Sequence, residues 1–180
     1  MIAVIDTETN WHDQVMSIGT VIVREEDLCP VEQYYHVLAP EYLVGGMYDD
    51  ALCLDAPGTV LCSRGEALGQ ILERLHFWHI DKLFAYNAAF DRNHLPELRG
   101  FLWYDIMRIA AYRQTNPAIG PSADCCSTGR LKRGYGVEPM LRLLSGKCSY
   151  QETHNALDDA LDELQIMRLL GRPIHTYIPL

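Results

Sequence analysis

Residues 1–10 read MIAVIDTETN, and this stretch decides how the rest of the chain is interpreted. The apolar residues from Met1 to Ile5 run without interruption into Asp6 and Glu8, as in a strand that is buried on both faces. Because residues two apart along a strand point to the same side, the two carboxylates project together. Carboxylates this close repel one another, and Mg²⁺ or Mn²⁺ would relieve that repulsion. The stretch therefore predicts either a metal site or an acidic strand end in a turn.

The composition indicates the class of protein. The chain has 180 residues, of which 48% are hydrophobic and 22% charged, and this predicts one globular domain spanning residues 1–180. No apolar run approaches the length of a membrane span, and no signal-type segment precedes the first strand. We therefore expect a soluble, cytoplasmic protein with no membrane partner. Its six cysteines are expected to be reduced, and we assign them no chemistry.

Charge is unevenly distributed along the chain. The formal net charge of −9 argues against a wide electrostatic footprint on nucleic acid, but it allows an acidic pocket filled by cations. Residues 130–147 are instead basic, with Glu138 as their single acid. This segment is either a solvated loop or part of a binding surface, and its sequence does not distinguish the two.

Periodicity predicts an α/β domain. Residues 15–24 and 31–38 read as strands that join the first strand in an antiparallel meander. Residues 40–64 look irregular and are interpreted as a long surface loop that could line a cleft. Helices are predicted at 65–79, 87–98, 106–113, 137–144 and 155–170, with one more strand at 83–86. The order of these elements predicts a central mixed β-sheet flanked by helices.

Two later segments carry further acidic residues. Residues 87–91 read NAAFD, and Asp91 would lie near a helix N-terminus, where a carboxylate is favoured. Residues 154–160 read HNALDDA and begin the last predicted helix. Asp158 and Asp159 face about 100° apart on that helix, so periodicity does not decide which of them meets the core. Each segment alone is equally consistent with helix capping or a solvated acidic face.

Taken together and in order, D-T-E, N-A-A-F-D and H-N-A-L-D-D-A closely resemble the motifs of the DEDDh 3′–5′ exonucleases. This family is a branch of the ribonuclease H-like superfamily that includes the proofreading subunit of bacterial DNA polymerase III, RNase T and oligoribonuclease. The resemblance covers most of the chain and implies a ribonuclease H-like fold. The implied ligands of two divalent cations, Mg²⁺ or Mn²⁺, are Asp6, Glu8, Asp91 and Asp159. The family's spacing makes His154 the general base and selects Asp159 rather than Asp158.

The resemblance also implies a reaction and a substrate. The reaction is hydrolysis of phosphodiester bonds from a single-stranded DNA or RNA 3′ end, with release of nucleoside 5′-monophosphates. A stacking aromatic residue is expected at such an end, and Trp11 and Phe90 are the candidates. The predicted substrate-binding residues are Thr7, Thr9, Trp11, Asn87 and Phe90. The chain departs from the family pattern where Asn10 and Trp11 follow Thr9 and in the long 40–64 segment, and both departures bear on substrate choice.

Other functions stay open at this point. A non-catalytic ribonuclease H-like module would bind nucleic acid or a polymerase without turnover. A phosphoesterase acting on small nucleotides would use the 40–64 segment to close its cleft. A proofreading or repair role would need a DNA polymerase or repair complex as partner, and a homodimer is an open alternative because some relatives pair. The choice between DNA and RNA depends on contacts to the 2′-OH, which no residue reveals.

Overall fold

The computed structural model describes residues 1–180. Its strands are β1 Ile2–Thr9, β2 Val15–Val23, β3 Pro30–Leu38, β4 Thr59–Cys62, β5 Lys82–Ala85 and β6 Leu102–Asp105. Its α-helices are α1 Arg64–Phe77, α2 Ala89–His94, α3 Met107–Ala110, α4 Val137–Ser145 and α5 Ala156–Leu170. Short 3₁₀ helices occur at Glu41–Val44, Asp49–Ala51, Pro96–Leu98 and Ile174–Thr176. No helix has both the length and the apolar character needed to cross a bilayer.

The strands form one six-stranded mixed sheet in the order β4–β3–β2–β1–β5–β6. The predicted meander is confirmed, since β1 pairs antiparallel with β2, and β2 pairs antiparallel with β3. The remaining neighbours are parallel, with β5 beside β1, β6 beside β5 and β4 beside β3. The α/β class and the flanking helices agree with the prediction from periodicity. This order brings the C-terminal ends of β1, β5 and β6 to one edge of the sheet.

Strand β1 is buried on both faces, which explains its unbroken apolar run. Ile2 and Val4 belong to the core that packs under α4 and α5. Ala3 and Ile5 belong to the core on the opposite face, under α1. Because side chains alternate along a strand, Asp6 continues the row of Ile2 and Val4 and faces α5.

Several sequence expectations were wrong. The 40–64 segment contains β4, and β6 was missed as well. Each of these strands has four residues, which is too few for an alternating pattern of apolar and polar residues to be recognised. The helix predicted at 87–98 ends at His94, because the residue before Pro96 is disfavoured in helical conformation. The helix predicted at 106–113 ends at Ala110, because the backbone that follows pairs with residues 129–131: the N–H of Leu131 donates to the carbonyl of Ala111, and a β-bridge joins Tyr112 to Arg130.

The contact that places α5 on the sheet occurs at Gly19 in β2. A Cβ atom on Gly19 would lie 2.0 Å from the carbonyl oxygen of Ala156 and 2.5 Å from the backbone nitrogen of Leu157. Gly19 is also the residue of β2 that pairs with Asp6. The absence of a side chain at this position therefore lets the first turn of α5 lie directly above the acidic end of β1.

We predict that Gly19→Ala destabilises the protein by about 1–3 kcal/mol, the range for overpacking, because helix backbone cannot move aside as a flexible side chain can. Thermal unfolding should show a lower melting temperature. The matched control is Gly69→Ala in α1, where a Cβ meets nothing within 4 Å. Alanine favours a helix interior, so this variant should be neutral or stabilised by up to about 1 kcal/mol. An unchanged melting temperature for Gly19→Ala would contradict the steric argument.

Candidate active site

Four carboxylates from three elements converge at the end of β1. Asp6 and Glu8 lie on β1 itself, Asp91 lies in the first turn of α2, and Asp159 lies in the first turn of α5. Burial raises the pKa of Asp6 well above its ordinary value, and the neighbouring charges of Asp91, Asp159 and Glu8 raise it further. The structure thus brings together the acidic residues of all three sequence motifs.

The fold resolves the choice between the adjacent aspartates of α5. Asp159 is buried, with 3% of its surface exposed, whereas Asp158 is exposed. Burial and the charges of Glu152 and Glu8 raise the pKa of Asp159 to about 8. The helix therefore turns Asp159 toward the cluster and Asp158 toward solvent.

Thr7 connects β1 to α2. Its side chain is buried, and its hydroxyl donates a hydrogen bond of 2.8 Å to Oδ1 of Asp91. Burial raises the pKa of Asp91 to about 7, and the hydrogen bond from Thr7 opposes that rise. Thr7 was predicted to bind substrate, but in this structure its hydroxyl is engaged in holding Asp91.

His154 lies beside the carboxylates, immediately before the helix cap. Ligand atoms of Glu8, His154 and Asp159 all lie within 4.8 Å of one another. The ring of Tyr48 stacks on the His154 imidazole, with 3.8 Å between ring centroids and 14° between planes. Asn155 caps α5 and donates a 2.8 Å hydrogen bond to the carbonyl of Ala51. Part of the 40–64 segment, which the sequence interpreted as a loop that could line a cleft, therefore packs against the histidine.

A cleft opens next to Glu8. It is lined by Thr9, Trp11 and Tyr48, together with other residues of the β1–β2 turn and the 40–64 segment. Trp11 is 65% exposed, and its backbone N–H donates a 3.0 Å hydrogen bond to the carbonyl of Gly45. The cleft thus has an aromatic wall whose backbone is held by the neighbouring segment.

The other predicted substrate-binding residues lie around α2. Phe90 is partly exposed on α2, and its ring packs beside His94 with 4.2 Å between centroids. Asn87 is exposed and has a positive φ of 63°. Its backbone N–H donates a 3.0 Å hydrogen bond to Oδ1 of Asp105. Neither residue lines the cleft beside Glu8.

Sequence reasoning missed two acids of the site. Glu163 is buried one helical turn after Asp159, and its Oε1 accepts a 2.9 Å hydrogen bond from the backbone N–H of Tyr86. Burial raises the pKa of Glu163 well above its ordinary value, and the charge of Asp6 adds to the rise. Glu152 is partly buried and contributes to the raised pKa values of Glu8 and Asp159. The spacing of four residues from Asp159 was the signal for Glu163, and no signal marked Glu152.

The donor set fits a divalent cation. Buried carboxylate oxygens of Asp6 (Oδ2), Asp159 (Oδ1) and Glu163 (Oε2) have no hydrogen-bond partner. A buried acceptor without a partner is costly, and carboxylate oxygens are the ligands that Mg²⁺ and Mn²⁺ prefer. The cluster is therefore suited to bind a hard divalent cation, which would neutralise its mutual repulsion.

Solved structures share this fold. The nuclease domain of 3′hExo, a DEDDh family member bound to rAMP, matches with a TM-score of 0.66 and 12% identity, covering 99% of this chain and 95% of that one. The chain has the fold of a DEDDh exonuclease. A full-length 3′-exonuclease matches at TM-score 0.64 and 12% identity, and a 3′-exonuclease solved in 3′-end specific recognition of a histone mRNA stem-loop matches at 0.65 and 13%. Both cover 99% of this chain and 89% of the other.

These matches confirm the ribonuclease H-like fold implied by the sequence motifs. No protein-family model matches the sequence, and the comparison with curated proteins finds no match. The similarity to these solved structures therefore lies in the fold, because only 12–13% of the aligned residues are identical.

The raised pKa values predict how stability depends on pH in metal-free protein. Burial, with the charges of Glu152 and Asp91, raises the pKa of Glu8 to about 8, and that of Asp159 is also about 8. In an unfolded chain both groups titrate near pH 4. Between about pH 4 and pH 8 the native state therefore binds more protons than the unfolded state, so stability falls as pH rises.

We expect the melting temperature in EDTA to fall as pH rises from 5 to 8, and the rise caused by added Mn²⁺ to grow over the same range. Asp159→Asn removes one of the titrating groups and should flatten the fall. Scanning calorimetry of both proteins across this range is the measurement. A metal-free melting temperature that increases up to pH 8 would show that these carboxylates are not mutually repelling in the folded protein.

Proposed function

We propose that this protein is a metal-dependent 3′–5′ exonuclease that hydrolyses single-stranded DNA or RNA and releases nucleoside 5′-monophosphates. The observation that carries the proposal is the convergence of the buried carboxylates with His154 at the end of β1. The fold neighbours support it: one of them was solved bound to rAMP, and another in recognition of the 3′ end of an RNA stem-loop. We further propose that residues 1–180 form a single exonuclease domain.

The proposed ligands of two divalent cations, Mg²⁺ or Mn²⁺, are Asp6, Glu8, Asp91 and Asp159. When bound, such cations stabilise the charge on the attacking and leaving oxygens of an in-line displacement. The residues of the chain supply the rest. Thr7 keeps Asp91 oriented through its hydrogen bond, and Asn155 fixes the first turn of α5 that carries Asp159.

His154 is the proposed general base. A histidine changes protonation near neutral pH and can accept a proton from an attacking water. Its place near Glu8 and Asp159 suits that role, because the water must lie between the base and the phosphate that the carboxylate site holds. The stacked ring of Tyr48 limits how far the imidazole can swing away.

The cleft beside Glu8 is the proposed site for the terminal nucleoside. Its wall at Trp11 offers a large exposed aromatic face, and stacking on such a face accepts any base. Thr9 lines the same cleft and can contact the sugar, whereas Asn87 and Phe90 lie on the side of α2. A single aromatic face beside the carboxylates suits an unpaired terminal base, so the proposed substrate is a single-stranded or frayed end.

We predict that Asp159→Asn abolishes stepwise shortening of 3′-labelled and 5′-labelled oligomers in Mg²⁺ or Mn²⁺. The matched control is Asp158→Asn, which removes the same charge from the adjacent exposed position and should keep wild-type turnover. Matched DNA and RNA oligomers, resolved by denaturing gel, identify the polymer that is cleaved faster. The 5′-labelled strand reports the direction of shortening, and chromatography of the product identifies the released mononucleotide.

The outcomes separate the functions that this fold could serve. If Asp158→Asn lost stepwise shortening as completely as Asp159→Asn, the assignment of Asp159 would be contradicted. Binding of oligomers without any turnover by wild type would favour a non-catalytic module. Hydrolysis of small nucleotide esters without shortening of oligomers would favour a phosphoesterase on small nucleotides.

We predict that His154→Ala lowers kcat by about 10²–10⁴-fold, the usual contribution of a general base, while Mn²⁺ binding is largely retained. Calorimetric titration with Mn²⁺ and single-turnover kinetics on the preferred oligomer would measure the two effects. A variant with the wild-type kcat would remove His154 from the mechanism.

A further inference from the structure

A second cavity lies on the other side of the carboxylates from the cleft at Trp11. It is lined by Asn87, Met107, Arg130 and Tyr135, with Tyr86 and Gly136 completing the wall. Asn87 follows β5 and Met107 follows β6, so this cavity lies at the same edge of the sheet, on the side of β1 away from β2. We call it the β5–β6 cavity.

Arg130 provides an uncompensated positive charge in this cavity. Its guanidinium lies 4.7 Å from the centroid of the Tyr135 ring and forms no ion pair. Lys132, in the same loop, is instead bound to Asp124 at 2.8 Å. Arg92, Arg99 and Arg133 also form no ion pair, so Arg130 is distinguished by its place in the wall of the cavity rather than by its missing partner.

The loop that carries Arg130 is held in place by backbone contacts. The N–H of Leu131 donates a 2.9 Å hydrogen bond to the carbonyl of Ala111, and a β-bridge pairs Arg130 with Tyr112. The hydroxyl of Tyr86 donates a hydrogen bond to the carbonyl of Tyr135. The guanidinium is therefore presented from an ordered segment rather than from a solvated loop.

The same residues join the cavity to the acidic site. The backbone N–H of Tyr86 donates a hydrogen bond to the carboxylate of Glu163. The charges of Asp6 and Asp91 in turn raise the pKa of Glu163. Asn87, the next residue, lines the cavity with an exposed side chain. Tyr86 therefore contacts both the acidic site, through Glu163, and the cavity whose wall includes Arg130.

We propose that the β5–β6 cavity binds an internucleotide phosphate on the 5′ side of the scissile bond, with Arg130 as its contact. This inference rests on the proposed function and adds a subsite to it. With the terminal nucleoside in the cleft at Trp11, the remaining strand must leave past the carboxylates, and the β5–β6 cavity lies on the opposite side. The guanidinium of Arg130 lies over the ring of Tyr135 and makes no side-chain hydrogen bond within the protein, so its N–H groups are available to phosphate oxygens.

Two substrates separate this subsite from the catalytic centre. One is the single-stranded oligomer that wild type cleaves faster, and the other is the p-nitrophenyl ester of a nucleoside 5′-monophosphate, which has no 5′-side phosphodiester. The variants are Arg130→Ala and, as a control of equal charge, Arg24→Ala. Arg24 lies at the opposite end of the sheet, directly after β2. Kinetics are measured with each substrate over a range of salt concentrations.

For Arg130→Ala we expect kcat/KM on the oligomer to fall about tenfold, mostly through KM, as for the loss of a charged hydrogen bond. The slope of log kcat/KM against log salt should become less steep by about 0.7, the value for one phosphate on a single strand. Hydrolysis of the ester should stay within about twofold of wild type, and Arg24→Ala should resemble wild type on both substrates.

Three results would overturn the subsite: equal losses on ester and oligomer, an unchanged salt slope, or an equal loss in Arg24→Ala. Binding of a fluorescent oligomer to Asp159→Asn protein, with and without Arg130→Ala, tests the subsite independently of turnover. Weaker binding by the double variant alongside an inactive wild type would reject both the exonuclease proposal and the subsite's place beside a scissile bond, and would leave Arg130 as a phosphate contact of a non-catalytic binding site. Equal binding by both proteins would reject the subsite.

Discussion

The structure depends on one close approach, between Gly19 of β2 and the first turn of α5. Because Gly19 has no side chain, the backbone of Ala156 lies directly on the sheet beside the residue that pairs with Asp6. Two residues that follow on the buried face of α5, Asp159 and Glu163, are thereby brought against the acidic end of β1. Steric contact between backbones sets this geometry, and the charges of the site oppose it.

That opposition is the main electrostatic feature of the protein. Buried carboxylates raise one another's pKa, and buried oxygens of Asp6, Asp159 and Glu163 lack partners. A core designed for stability alone would avoid such a cluster, since unpaired buried charges are costly. The hydrophobic burial of β1 on both faces of the sheet, and of α5 on one of them, supplies the stabilisation that holds the cluster together. Raised pKa values of this kind cluster at functional sites.

The surroundings of the carboxylates differ on their two sides. Toward β2 and β3, the 40–64 segment supplies Tyr48 against His154 and holds Trp11 at an open cleft. Toward β5 and β6, the loop with Arg130 brings an uncompensated positive charge to a chain that is otherwise strongly acidic. Under the proposed function, the aromatic side would meet the faces of the bases and the side with Arg130 would meet the negative backbone of the strand.

The sequence by itself determined the buried first strand, the antiparallel meander, the last helix and the order of the acidic motifs. Each of these depends on local periodicity or on short motifs, which a sequence displays directly. Helix periodicity did not decide between Asp158 and Asp159; the motif resemblance implied Asp159, and the fold shows that it is the buried one. Tertiary structure alone decided that Thr7 holds Asp91 and that Glu163 joins the site. It also decided the short strands β4 and β6, which exist through pairing with β3 and β5. Contacts between elements distant in the chain determine these features, and no local pattern records them.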